Sequence, residues 1–148
     1  MANRTFTLKE AQELLPVLES LIRRAAEGKR RMEEIDAEFQ SVNARVMMHG
    51  GVLLDIVPLA KLRAERDKLA QNMSDALAEI TATGVQVKDL DIGLLDFPCV
   101  VDGRVVLLCW KLGEETITHW HGVDEGFAGR KPIDDKIANA GRSRRKLQ

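Results

Sequence analysis

Side chains fit for chemistry crowd into one short stretch, Gly113-Glu114-Glu115 through Arg130, which holds two of the three histidines and four carboxylates. His119 and His121 stand two apart in a segment that reads as a strand, so their rings project from one face. Two imidazoles so spaced can bite one metal ion, and Asp124 or Glu125 just beyond can add an oxygen ligand. Neutral imidazole with carboxylate suits zinc, iron(II), nickel or manganese. Three protein ligands and an open position make a site that activates water, with Glu114 or Glu115 as base. A structural reading competes with this one: either histidine can be a core ring with a satisfied nitrogen. Asp124-Glu125-Gly126-Phe127-Ala128-Gly129-Arg130 is a loop by its glycines. Arg130 can meet a carboxylate or phosphate of a ligand, with Glu114 and Trp120 as further candidate contacts. Otherwise Phe127 plugs the core and Arg130 pairs with Asp124 or Glu125.

Other chemistry is argued against. The chain carries no P-loop, G-x-G-x-x-G, C-x-x-C, H-E-x-x-H or G-x-S-x-G. Two cysteines cannot build a disulfide scaffold or a cysteine-only zinc site. A nucleophilic cysteine needs a nearby base or positive charge, whereas the strand register sets Asp96 beside Cys109, and a carboxylate raises a thiol's pKa.

The elements that position these residues are legible from periodicity. Thr7 and Glu10 form a capping box with Phe6 as staple. From there Leu14, Leu18, Leu21, Ala25, Gly28, Met32, Ile35, Phe39, Val42 and Val46 follow three-and-four spacing, a heptad seam. Pro16 predicts a kink or a short first helix. His49-Gly50-Gly51 breaks the run, Pro58 suits a first turn, and a second seam runs from Leu59 through Leu62, Arg66, Leu69 and Met73 to Ile80, stopped by Gly84. The two seams predict an antiparallel, coiled-coil-like helical hairpin. The first is too long for one hairpin to cover, which predicts a homodimer through the long helices.

After Val85 the period becomes two. Leu94 to Val101 and Arg104 to Leu112 flank Asp102-Gly103, a hairpin signal. Pro98 predicts an edge strand, and apolar Val105 to Trp110 predicts a middle strand covered on both faces. In this register Cys99 pairs with Val106 and Cys109 with Asp96, so the thiols point apart. A third strand, Thr116 to His121, joined by a turn at Gly113-Glu114, puts the histidines on the face of Leu108, Trp110 and Ile117. The expectation is an α+β fold, a helical hairpin (6–84) packed with a three-stranded antiparallel sheet and Gly-rich loop (85–133). That makes one domain over 1–133, with a basic, flexible tail at 134–148.

The chain has 148 residues, enough for one domain, with 22 Lys and Arg against 23 Asp and Glu. No overall field selects nucleic acid or membrane. No apolar run has transmembrane length and no signal-peptide core follows Met1, so a soluble cytoplasmic protein is expected. Arg142-Ser143-Arg144-Arg145-Lys146 could grip a phosphate backbone, but it lacks aromatics for stacking, and nucleic acid is not expected as a partner.

One family resemblance stands beside these readings. Phe6-Thr7-Leu8 with Glu10-Ala11 and Leu14-Leu15-Pro16, the Gly50-Gly51 break, Asp96-Phe97-Pro98, Leu107-Leu108-Cys109-Trp110, Gly113-Glu114 and Trp120-His121 leading to Asp124–Arg130 carry it. The pattern resembles an uncharacterised bacterial family known only as a domain of unknown function, over residues 6 to 133. That resemblance implies no activity, cofactor or partner. It shifts a candidate site toward His121, Asp124 and Glu125, and away from His119 and the basic tail. The expected role is dimeric binding or assembly. The alternative is a metal-dependent enzyme, a hydrolase or oxygen-using protein, holding zinc, iron or manganese at His119, His121, Asp124 and Glu125.

Overall fold

A computed structural model describes residues 4–49 and 56–140. The first helix, α1 (Leu8–His49), starts where the capping box closes: the Glu10 N–H donates to Thr7 Oγ1 at 3.1 Å and the Thr7 N–H to Glu10 Oε1 at 2.8 Å. Its 42 residues include Pro16, so the proline does not cut the helix short. At 1.5 Å per residue it is about 63 Å long. The second helix, α2 (Ile56–Ala82), has Pro58 in its first turn and is followed by a turn at Gly84, whose φ of +98° favours glycine. A Cβ there would also lie 2.9 Å from Arg4 Cβ. The predicted break at Gly50-Gly51 lies outside the described residues.

The helices run antiparallel. Gly28 backs onto Leu69 and Met73, and two forked ion pairs fix the register farther out. Arg31 donates to Glu65 at 2.6 and 3.0 Å, and Arg66 to Asp36 at 2.7 and 3.3 Å. Arg66, the charge on the second seam, thus finds its partner across the hairpin. Such half-exposed pairs add little stability, but their forked geometry discriminates against a shifted register.

The sheet has five antiparallel strands in chain order: β1 (Gln86–Asp89), β2 (Leu94–Val101), β3 (Arg104–Lys111), β4 (His119–Gly122) and β5 (Lys131–Pro132). The sequence predicted three. β1 and β5 span only four and two residues, too short for alternation to register. Asp102 and Gly103 both have positive φ, 51° and 76°, the backbone of a type I′ hairpin turn. The predicted pairs Asp96–Cys109 and Cys99–Val106 are present, and both cysteines are free. β2 is interior rather than an edge. β1 pairs only as far as Asp96, however, and the Phe6 N–H donates to the Pro98 carbonyl at 2.6 Å. Pro98 therefore turns its missing donor toward a stretch where no strand requires it.

Leu95, Phe97, Cys99, Leu108 and Trp110 form the inner face, packed on Phe6, Ala11, Leu15, Leu18, Ile22, Ala76 and Ile80. Phe6 meets Phe97 edge to face at 5.7 Å. Each large apolar side chain buried here contributes roughly 1.5–3 kcal/mol. A short helix, α3 (Asp135–Asn139), is capped by Asp134 and inserts Ile137, 2% exposed, into the same core. Folded structure therefore runs beyond residue 133, and the basic residues 142–146 lie outside the described residues. Helices cover one face of the sheet; the other holds the candidate site.

Candidate functional site

A two-residue turn at Gly113-Glu114 predicts both histidines on the inner face. The structure puts them on the outer one: β3 and β4 pair Cys109 with His119, Leu108 with Trp120 and Leu107 with His121. The cause is the β3–β4 connection, which is a longer loop rather than a two-residue turn. Lys111 and Trp110 both reach forward into it, the Lys111 N–H donating to Glu114 Oε1 at 2.8 Å and Trp110 Nε1 to the Glu114 carbonyl at 2.9 Å. Gln12 of α1 accepts from the Ile117 N–H at 3.2 Å. One residue of slip relative to a tight turn flips every side chain of the strand. Trp120 consequently leans toward the core, and His121 joins Asp96, Leu107 and Cys109 on the other side.

Asp96 and His121 are 1% and 3% exposed, which demands partners for both. His121 Nε2 lies 3.1 Å from each Asp96 carboxyl oxygen, and Nδ1 lies 2.8 Å from the Gly122 carbonyl. A carbonyl only accepts, so Nδ1 carries a proton. One further proton then lies between Nε2 and the carboxyl, since a bare lone pair facing a carboxylate would be repulsive. Burial pushes the Asp96 carboxyl up from its ordinary range, against the opposing pull of His121.

Cys109 completes the cluster. Its thiol is wholly buried, lies within 4.8 Å of Asp96 and His121, and is pushed up to about 11, chiefly by burial. Arg130 NH1 lies 3.9 Å from Sγ and partly offsets that shift. Arg130 forks onto Glu114 at 3.2 and 2.6 Å and stacks 4.5 Å over the Phe127 ring. Burial alone would raise Glu114, but the Arg130 and Lys111 hydrogen bonds and the charges of Arg130 and His119 outweigh it and hold the carboxyl low. The clasp thus remains an ion pair roofing a buried Asp–Cys–His cluster.

The predicted residues divide accordingly. His121, Arg130 and Glu114 converge here. Arg130 pairs with neither Asp124 nor Glu125, and Phe127 is 39% exposed rather than a core plug. Glu125 turns to the Gly122 N–H at 2.9 Å and Lys131 Nζ at 2.8 Å, while Asp124 is exposed. His119 places Nδ1 2.8 Å from Thr118 Oγ1. Trp120 lies beneath Lys131, 4.6 Å from ring centre to Nζ, lining an open groove with Val106 and Ile137 that reaches none of the buried trio. Among the described residues, the grouping of three metal-capable side chains is Asp96, Cys109 and His121, with ligand atoms within 4.8 Å of one another. Of the predicted set it keeps only His121. The signal for Asp96 was in the sequence: an acid inside an apolar strand must have a partner.

A family model matches residues 4–133, a span that includes every residue of the cluster and its clasp, and it is described as an uncharacterized conserved protein, DUF2203. No curated protein and no solved structure matches the chain.

Proposed function

The chain belongs to this uncharacterized conserved family, DUF2203, and we propose that it is an assembly protein that dimerises through its helical hairpin. The observation carrying this reading is that the hairpin outruns the core it serves. Among the described residues, the core cluster takes nothing from α1 beyond Ala25 and nothing from α2 before Met73. Past the Lys29–Asp91 contact, α1 continues for 20 residues to His49, about 30 Å of two-helix arm.

Along that arm Ile35 is buried, but the seam residues Phe39, Val42, Val46, Leu59 and Leu62 are only half-covered. Met47, Met48 and Val57 near the tip are 77%, 79% and 60% exposed. Two helices cover a heptad seam from one side; four cover it fully, and a second copy supplies the matching seam. The proposed occupant is that second copy, in a coiled-coil-like bundle. No helix among the described residues is long and apolar enough to cross a membrane. A reducing, cytoplasmic setting suits two free thiols on opposite sheet faces.

Light scattering on wild-type protein and on a Phe39→Glu/Val42→Glu variant tests this. The wild type should be dimeric and the variant monomeric with unchanged helical content. A monomeric wild type removes the proposal.

A further inference from the structure

We infer that Asp96, Cys109 and His121 bind a single divalent transition-metal ion of the zinc class. The three residues come from adjacent strands β2, β3 and β4, so the sheet rather than a mobile loop sets their spacing. His121 Nε2 and the Asp96 oxygens are 3.1 Å apart, and all three ligand atoms lie within 4.8 Å. Ligands of a tetrahedral zinc ion stand roughly 3.3–3.6 Å from one another. Asp96 and His121 are already at that spacing, and the thiol, within 4.8 Å of both, has only to close onto the ion.

The surroundings fit the same ligand. Gly122 holds the Nδ1 proton and leaves Nε2 to face the site, as backbone carbonyls do behind metal-bound histidines. Arg130 can donate to a thiolate, and its own charge is matched by Glu114. A carboxylate, a thiolate and a neutral imidazole form a mixed O, S, N set suited to zinc, with a fourth position for water.

The exchange balances. One dication enters, and two protons leave: the Cys109 thiol proton and the one shared between Asp96 and His121. The site is neutral before and after, so the half-buried Arg130–Glu114 clasp meets the same net charge in both states. Without metal the protons hold the cluster together, and among the described residues no buried side-chain nitrogen or oxygen lacks a partner.

Cobalt(II) added to the reduced, full-length chain gives the test, because a thiolate ligand produces an intense charge-transfer band and tetrahedral coordination produces visible bands. The expected result is one cobalt per chain, displaced by zinc. The charge-transfer band should vanish in Cys109→Ser and persist in Cys99→Ser. A His119→Ala/Asp124→Asn/Glu125→Gln variant separates this site from the exposed residues and should keep the full spectrum. Absence of the band in the folded wild type, or its loss in that triple variant, overturns the inference. The Phe39→Glu/Val42→Glu monomer should retain the spectrum, so this result is independent of assembly.

Discussion

At the scale of single residues, the Asp96–His121 pair dominates. Both groups are buried, so removing one leaves the other without its partner, a loss of about 3–5 kcal/mol for a broken buried pair. Asp96→Ala should show that loss in urea unfolding, whereas Asp96→Asn, whose amide can still donate to Nε2, should lose clearly less. Equal losses would mean that packing alone matters there. Glu114 makes a pH prediction. Its folded carboxyl is held below the ordinary value, so the Arg130 clasp stabilises fully above the unfolded value. That stabilisation disappears as pH falls through the lowered folded value. Acid titration of Glu114→Gln should show a shallower loss across this window than wild type. Asp96 and Cys109 could be paired from the sequence because the Asp102-Gly103 turn sets their register. His121 could not be assigned to them, since its face depends on loop contacts made by Glu114 and Gln12.

At the scale of elements, the long helices were legible because each carries many periods of one pattern and a clear stop. The capping box and Gly84 appear as read. β1 and β5 are not legible in the sequence because pairing, not composition, makes them strands. The segment after 133 reads as tail by charge, yet buried Ile137 anchors it, with Asp134 Oδ1 accepting the Ile137 N–H at 3.0 Å. Ile137→Ala should cost about 2–5 kcal/mol, as for a large-to-small change in a packed core. A change below half a kcal/mol, on the order of a surface substitution, would show that α3 does not belong to the cooperative unit. Thermal or urea unfolding followed by Trp110 and Trp120 fluorescence reads this directly.

At the scale of the molecule, a single-copy core sits at one end of a hairpin that continues well past it. Composition gave no hint of this asymmetry, but seam length did: the heptad pattern runs to Val46 while the core cluster draws on α1 only as far as Ala25. Assembly accounts for the half-covered seam and for exposed Met47, Met48 and Val57 together. Sedimentation velocity of the wild-type chain over a dilution series through the micromolar range tests it most directly. The account predicts an elongated dimer that dissociates on dilution; a monomer at every concentration would contradict it.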